Sequence, residues 1–514
     1  MKSKYIAIFL LSLMLFTGCT EDWLELKNPN LQTSETFWNT EEDIMKGVTA
    51  AYMGLLYDGT WMRFVPFALN LKADDTRSES PWNVLSLTGK FNLSGDPIMA
   101  QWPWTSFYGV ICRANQVLMH VDEAKFTSED KRKQYKGEAL FLRAFSYYYL
   151  VTFFRNIPLV LRPYETDADL YPEQAPPEDV WALIFDDFAE AAQLLPEVYP
   201  EAEKGRATKG AALAFLGKAY LMNKDYANAS ANLFQVIDSE IYELMDDYAR
   251  NFTAEPQDEN NAESVFEIQM DRNVGGTTLG WVSQPAPDWS KTSAHAITFA
   301  PTPFGFGDAD ATDWIFQEFK KEKNVDGEVD ERIIACISFD TTACTMYGTP
   351  FRSAFDPTRW NKVFVRKYTN AYSSALPNEY DWRSGINERV MRYAEVLMMY
   401  AECQYELGHP DVAAQYIQEV RNRVNLPDIT DQIAAMNRED FYNQLSHEKA
   451  LEFAFEGVRF EDIVRWGWLY DPDKLAELKA HDPEYESYIE GREYFPIPPA
   501  ELNKNPKYKN NPGW

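Results

Sequence analysis

The sequence predicts a mainly α-helical protein in which a tetratricopeptide-like helical framework packs against an irregular, loop-rich subdomain. Three observations lead to this prediction. Apolar residues recur at three- and four-residue spacing over most of the chain. Two of these helical stretches carry the small-residue spacing of tetratricopeptide hairpins. Two other stretches lack helical periodicity and are rich in glycine, proline and aromatic residues.

The predicted helices are separated by clusters of proline, glycine and aspartate, which end helices. They cover residues 42–57, 104–122, 129–154, 177–195, 207–222, 226–239, 389–407, 410–424, 438–456 and 459–467. The helical framework therefore spans about 36–57, 104–250 and 389–470. The loop-rich part spans about 58–103 and 250–388, and a C-terminal tail follows at 471–514.

Two helix pairs match the tetratricopeptide pattern, in which small residues allow two helices to approach closely. In the first pair the matching positions are Leu213, Leu216, Gly217, Tyr220 and Ala229. In the second pair they are Ala401, Gly408, Ala413 and Val420. Each match is weak alone, but together they favour a repeat-like framework.

The N-terminus has the layout of a secretory signal peptide. Lys2 and Lys4 precede an apolar run that ends at Gly18 and Cys19. The run is too short to span a bilayer comfortably, because a helix rises only about 1.5 Å per residue. A small residue followed by cysteine resembles the bacterial lipoprotein signal, so residues 1–18 are expected to be removed and Cys19 to be lipidated. An ordinary signal peptide remains the alternative.

Composition restricts the possible partners. The 514 residues carry a formal net charge of −30. Such a surface repels phosphate backbones, so nucleic acid is not expected as a partner. No stretch after Cys19 is long and apolar enough to cross a membrane. The acidic residues directly after Cys19 resemble a surface-export signal, which favours display on the outside of the cell.

The cysteines give two expectations. Cys112 and Cys403 lie in apolar helical patterns and are expected to be inert core thiols. Cys336 and Cys344 flank a short segment that could turn back on itself, so a disulfide between them is an open alternative in an exported protein. The chain has no C-x-x-C pair, which argues against a zinc site.

Two motifs could be taken for chemical sites. Glutamates 448, 452 and 456 share a helical face that is followed by two arginines, Arg459 and Arg465. "HEKAL" lacks the second histidine of a zinc-protease helix, so structural ion pairs are expected instead. The aspartates of "GDADATD" (307–313) could share a calcium ion, but a helix cap at Asp313 is the simpler interpretation.

Ligand contacts are expected in the loop-rich part, because long, aromatic-rich loops in compact proteins are usually functional. Sugar rings stack on aromatic side chains, and their hydroxyls need polar partners. The candidate ligand-binding residues are Asp74, Asp75, Arg77, Trp82, Asn83, Trp281, Trp289 and Phe304.

Four further stretches carry a family resemblance. They are "KGEALFLRAFSYYYLVTFFRNIPLV" (136–160), "MRYAEVLMMYAEC" (391–403), "EKALEFAFEGVRFEDIVRWG" (448–467) and "YFPIPPAELNKNPKYKNNPGW" (494–514). Together with the lipoprotein start, they make the chain similar to the SusD/RagB-like outer-membrane lipoproteins over essentially its whole length. The resemblance implies a SusD-like domain over residues 19–514.

The resemblance also implies a function. Such proteins bind nutrients at the cell surface and pass glycans, or sometimes peptides, to a partner TonB-dependent SusC-like outer-membrane transporter. A non-catalytic glycan-binding protein without metal or cofactor is therefore expected. A peptide-binding protein of the same type of system is the main alternative, and a surface hydrolase is a further one. The tail, with Pro496, Pro498 and Pro512, is expected to wrap the helical body.

Overall fold

The computed structural model describes residues 37–514 except 79, 94–96, 165, 254, 275–290 and 372–383. The predicted signal peptide, Cys19, Trp281 and Trp289 lie outside the described residues. Among the helices that are described, none combines the length and the apolar character needed to cross a membrane.

Helices dominate the regular structure, as the sequence predicts. They are α1 (Glu41–Met53), α2 (Phe64–Asn70), α3 (Asn83–Gly89), α4 (Ile98–His120), α5 (Glu129–Phe154), α6 (Pro177–Leu194), α7 (Lys209–Met222), α8 (Tyr226–Asp238), α9 (His295–Phe299), α10 (Asp313–Glu318), α11 (Arg332–Cys336), α12 (Phe351–Ala354), α13 (Tyr393–Glu406), α14 (Pro410–Arg423), α15 (Thr430–Ala434), α16 (Arg438–Glu452), α17 (Val458–Arg465), α18 (Pro472–His481) and α19 (Pro499–Lys504).

Strands are short and pair in twos within the described part of the chain. They are β1 (Thr76–Ser78), β2 (Ser264–Ile268), β3 (Ala309–Ala311), β4 (Ile337–Ser338), β5 (Thr345–Met346), β6 (Thr349–Pro350), β7 (Phe364–Val365) and β8 (Glu388–Arg392). The antiparallel pairs are β1 with β3, β2 with β8, β4 with β7, and β5 with β6. The predicted helix at 389–407 is therefore partly wrong, because its first residues form β8.

The framework consists of consecutive helices that pack against each other, with α5 at its centre between α4 and α6. In the first tetratricopeptide-like pair, Gly217 of α7 faces α8. A Cβ atom at Gly217 would lie 2.6 Å from the Leu233 side chain. Only a residue without a side chain allows this approach, which is the physical basis that the sequence pattern implied. In the second pair, Gly408 has φ of +85° in the turn between α13 and α14.

A network of buried ion pairs lies between α13, α14, α16 and the loop-rich part. At its centre Glu452 accepts hydrogen bonds from Arg392 at 2.9 Å and from Arg332 at 3.0 Å, and it also pairs with Arg423. Burial raises the pKa of Glu452, but the three guanidinium groups outweigh burial and hold this pKa below its usual range. We call these residues, with Glu263, the Glu452 network.

The predicted structural role of the 448–467 motif is confirmed. Arg392 also donates to Glu456 at 2.7 Å, and Arg465 pairs with Glu402 at 2.6 Å. These side chains are all buried or nearly so. The conspicuous charges of the motif therefore neutralise one another inside the protein and join α16 and α17 to the rest of the fold.

The tail contacts the end of α5. The Phe495 backbone N–H donates to the Phe153 carbonyl at 2.6 Å, and the Asn511 side chain donates to the Phe154 carbonyl at 2.7 Å. Farther along, the Asn505 side chain donates to the Pro172 carbonyl at 2.7 Å. These contacts place the tail along the helical framework.

The burial of the cysteines agrees only in part with the prediction. Cys336 and Cys344 are free thiols, and Cys403 is buried as predicted. The expectation that Cys112 lies in the core is wrong, because Cys112 is exposed. The buried face of α4 is formed by neighbours such as Ile111 and Ala114, and Cys112 falls outside that face.

Candidate ligand-binding site

The expectation that Asp74 faces a ligand is wrong. Its carboxylate is fully buried and accepts hydrogen bonds from Arg459 Nε at 2.7 Å and Nη2 at 2.9 Å. It also lies 2.8 Å from His481 Nδ1. Burial raises the pKa of Asp74, but Arg459 and His481 outweigh it and keep the pKa well below its usual range. Asp74 therefore ties the 74–83 loop to α17 and α18.

Asp75 is also internal, so its predicted ligand role is wrong as well. It accepts hydrogen bonds from the Phe455 backbone and from the Thr76 hydroxyl, each at 3.0 Å. Burial raises the pKa of Asp75 to about 6. Arg77 is half-buried in β1 opposite Asp310 of β3.

Trp82 and Asn83 lie at the surface, where the sequence analysis expected them. Asn83 is exposed at the start of α3, and Trp82 is half-buried. The Trp82 ring meets Phe64 edge to face at 5.9 Å, and Phe64 lies 4.8 Å from Trp102. Trp102 is also half-buried. We call Phe64, Trp82, Trp102 and the underlying Arg63 the Trp82 cluster.

The Arg63 guanidinium contacts all three aromatic rings of the cluster. Its guanidinium carbon lies 5.0 Å from the Phe64 ring centre, 5.1 Å from that of Trp82 and 5.9 Å from that of Trp102. Cation–π contacts of this kind contribute about 0.5–2 kcal/mol each. Asp58 fixes the guanidinium by a bidentate ion pair in which Arg63 Nε donates at 2.7 Å. The rings are therefore supported by a rigid, buried charge pair.

Polar groups lie beside the cluster. The Trp82 backbone N–H donates to the Ser80 hydroxyl at 3.0 Å, and the Ser78 hydroxyl donates to the Asp308 carbonyl at 3.2 Å. Burial raises the pKa of the Asp308 carboxyl, although Ser80 and Arg63 lower it. On the same loop as Asp308, the Phe306 side chain is 49% exposed. The half-buried rings thus lie beside hydroxyl and carboxyl groups that are themselves buried.

Phe304 does not join this cluster, so the expectation that it contacts the same ligand is not supported by its position. Its ring stacks on Tyr347 at 5.0 Å and meets Phe355 at 5.9 Å. These residues belong to a separate small core around Cys344 and Phe364. The Phe304 side chain therefore anchors the loop that carries it to this small core.

Sequence reasoning missed Arg63, Phe64 and Trp102. The predicted helix begins at residue 104, so Trp102 falls outside the predicted helix. The structure starts α4 at Ile98 and accommodates Pro103 inside its first turns, so Trp102 projects from a helix. Arg63 and Phe64 follow an irregular turn at Asp58–Met62, and no periodic pattern in the sequence predicts this turn.

The calcium alternative finds no support. Asp308 is buried beside Ser80, Asp310 lies in β3, and Asp313 is the first residue of α10. The expected cap at Asp313 is wrong, because Thr312 caps α10 by accepting from the Ile315 backbone. The three carboxylates thus serve different local roles.

One trio in the described part of the chain has metal-ligand spacing: Glu322, His447 and Glu448. Arg421 donates to both glutamates. Burial lowers the pKa of His447, but hydrogen bonds to Glu318 and Glu322 outweigh it and raise the pKa to about 9. A protonated imidazole and a guanidinium leave this trio as an ion-pair network and not as a cation site.

Comparison with known proteins identifies the family of this chain. The profile described as "SusD family" matches residues 262–514, and the profile described as "Starch-binding associating with outer membrane" matches residues 22–221. SusD-like protein P25 of Formosa agariphila is 23% identical over 98% of both chains.

Solved structures share the fold. A SusD superfamily protein from Bacteroides vulgatus is 30% identical, with a TM-score of 0.80 over 93% of this chain and 100% of that one. A laminarin-binding SusD-like protein is 24% identical, with a TM-score of 0.75 over the same shares. This protein belongs to the SusD family.

Proposed function

We propose that this protein is a surface-exposed, lipid-anchored glycan-binding protein that captures oligosaccharide or polysaccharide without cleaving it. The observation that carries the proposal is the Trp82 cluster, in which half-buried rings rest on a fixed Arg63–Asp58 ion pair. Names among the family profiles and relatives refer to starch and laminarin, which are both neutral glucans.

The chemistry of the cluster suits a sugar chain. The C–H faces of a pyranose pack on aromatic rings, which lose little entropy on binding. Ring hydroxyls need donors and acceptors, and the exposed Asn83 side chain next to Trp82 offers both. Because Asp58 already neutralises Arg63, the platform carries no strong uncompensated charge, which favours a neutral glycan.

Trp281 and Trp289 remain part of the proposed site. Ala294, five residues after Trp289 in the sequence, donates its backbone N–H to the Met62 carbonyl at 2.7 Å. Met62 is adjacent to Arg63. The described residues that follow the two tryptophans in the sequence thus contact the segment that carries Arg63.

Lipidation of Cys19 and delivery of the glycan to a TonB-dependent SusC-like transporter complete the proposal. An exported domain spanning 19–514 that is anchored near a barrel would raise the local ligand concentration at the barrel entrance. Cys19→Ala should release the protein from outer membranes of the native host. Deleting the gene of that transporter should leave glycan binding intact but stop uptake.

Binding is tested by calorimetry on residues 20–514 with laminarihexaose, maltohexaose and an oligopeptide mixture. Trp82→Ala and Trp102→Ala should each weaken glycan binding at least tenfold. Trp38→Ala is the matched control, because Trp38 is also half-buried but stacks on His120 at 5.2 Å. Binding of peptides alone would support the peptide alternative.

Chromatography of the same mixtures tests the hydrolase alternative. Asp308 is the carboxyl beside the cluster whose pKa is raised. Product that accumulates with the wild type and disappears with Asp308→Asn would overturn the non-catalytic proposal. Unchanged glycans in both samples support it.

A further inference from the structure

We infer that the helical side of the molecule carries a second binding groove for a neutral oligosaccharide, separate from the Trp82 cluster. Two adjoining cavities of about 370 and 720 Å³ lie along α16. Asn443, Trp468 and Lys474 line both cavities, so the two adjoin at these residues. Each volume falls in the range of about 300–1,000 Å³ that is typical of ligand sites. We call this feature the α16 groove.

Aromatic side chains line both cavities, and of these Tyr442 and Trp468 are buried. Tyr442 meets Trp466 edge to face at 5.7 Å, and Trp466 lies 5.3 Å from Trp468. Arg459 connects this row to Trp314, with its guanidinium carbon 5.1 Å from both the Trp468 and the Trp314 ring centres. Trp314 and Trp466 are half-buried and keep ring surface in the cavities. A row of this kind suits an extended chain of sugar rings better than a compact ligand.

Charge balance indicates a neutral ligand. Arg465 pairs with Glu402 at 2.6 Å, and the exposed Arg438 pairs with Glu406 at 2.8 Å. Lys474 likewise pairs with Glu477 at 2.8 Å, and it also donates to Asn443. Of these, the pairs of Arg438 and Lys474 reach solvent and offer N–H donors and carboxylate acceptors to hydroxyl groups without attracting a net charge. An acidic glycan would face the carboxylates of these pairs.

The groove walls are fixed by buried contacts. Arg459 forms its bidentate pair with Asp74, and His481 stacks on Trp314 at 4.2 Å between ring centres. Trp466 donates its indole N–H to Glu402 at 3.0 Å. A preorganised wall reduces the entropy lost on binding.

The groove and the Trp82 cluster share the 74–83 loop, which carries Asp74 at one end and Trp82 at the other. The two sets of residues do not overlap. One chain could therefore hold a polysaccharide at two points, and the second contact would be intramolecular. The inference takes only its ligand class from the proposed function.

The test counts binding sites by calorimetry with laminarihexaose, maltohexaose and cellohexaose, with hexagalacturonate as the acidic comparison. Asn443→Arg places a long side chain in the middle of the groove, and Trp314→Ala removes one ring. Gln415→Arg is the matched control, because Gln415 is exposed on α14 and outside both cavities.

We expect two equivalents of one neutral hexasaccharide per wild-type chain. Trp82→Ala should bind only at the α16 groove, and Asn443→Arg should bind only at the Trp82 cluster. Gln415→Arg should bind at both sites. Long glucan should bind at least tenfold more tightly than the hexasaccharide, and either single variant should remove most of that gain.

The outcomes separate the two proposals. A single site that is lost in Trp82→Ala and unchanged in Asn443→Arg overturns the groove but keeps the proposed function. A single site that is lost only in the groove variants keeps the groove and overturns the Trp82 site. Preferred binding of hexagalacturonate, or no binding of any glycan, overturns the groove as a neutral-glycan site.

Discussion

The Glu452 network and the Trp82 cluster both combine arginine, carboxylate and aromatic groups, yet their surroundings differ. In the network, Arg392, Arg423 and Arg332 share buried carboxylates, and the Arg392 guanidinium also lies 5.5 Å from the Phe252 ring. In the cluster, one buried ion pair supports rings that remain half in solvent. The same residue types therefore neutralise one another inside the fold when every partner is internal, whereas at the proposed site they leave aromatic faces in solvent.

The largest effect is expected from Arg392→Met. This change leaves Glu263, Glu452 and Glu456 buried without one of their cations. Loss of one partner from a buried pair destabilises proteins by about 3–5 kcal/mol. Urea unfolding should show this loss, while any folded fraction should bind glycan with wild-type affinity. Unchanged stability would contradict the structural role of the network.

A smaller effect should appear in the pH dependence of stability at His447, which faces Glu318, Glu322 and Glu448 and lies near Arg421. Its folded pKa of about 9 lies above the usual value of about 6.5. Its stabilising contribution is therefore complete below pH 6.5 and is lost as pH rises through 9. The loss should amount to about 2–3 kcal/mol relative to His447→Gln.

Urea unfolding of the wild type and His447→Gln at pH 6, 7.5 and 9 measures this effect. The difference in free energy of unfolding between the two proteins should shrink as pH rises. A constant difference would show that the pKa of His447 is the same in the folded and the unfolded protein, and it would contradict the raised pKa.

Trp82→Ala should have the opposite effects to Arg392→Met, because glycan affinity should fall while stability changes little. Glycan affinity should fall at least tenfold, which corresponds to about 1.4 kcal/mol. The free energy of unfolding should change by about 1 kcal/mol or less, because part of the ring is already in solvent. Calorimetry and urea unfolding of the same sample separate the two quantities. A large loss of stability with normal binding would place Trp82 with the structural residues.

The smallest effect is expected from Arg438→Met. Its side chain is 68% exposed, and its pair with Glu406 at 2.8 Å is open to water. Exposed pairs contribute about 0.2–1 kcal/mol. Unfolding should therefore change little, and this variant provides the exposed counterpart to Arg392→Met. A loss comparable to that of Arg392→Met would show that burial does not distinguish the two pairs.

Helices and their pairing could be predicted from the sequence because periodicity records which face is buried. The helix at 129–154 matches α5 at both ends, and the small residue at Gly217 lies where α7 and α8 approach closely. Errors occur at boundaries where tertiary contacts compete with local preference. Glu388–Arg392 continues a helical pattern in sequence, but pairing with β2 makes it a strand.

The candidate site was predictable only in part. Trp82 and Asn83 lie at the surface as expected, whereas Asp74 and Asp75, seven to nine residues earlier in the same loop, are internal. No local pattern distinguishes these cases, because the partners of Asp74 are Arg459 and His481, which are 385 and 407 residues away in the sequence.

The sequence by itself determined the helical framework, the family and the aromatic character of the loops, because these depend on residue type and local spacing. Tertiary structure decided which charges are neutralised and which rings reach solvent. The fold places the Arg63 guanidinium against the Trp82 and Trp102 rings. It also buries Asp74 in an ion pair with Arg459. Burial and pairing of charges are properties of contacts between distant segments, so only the folded chain specifies them.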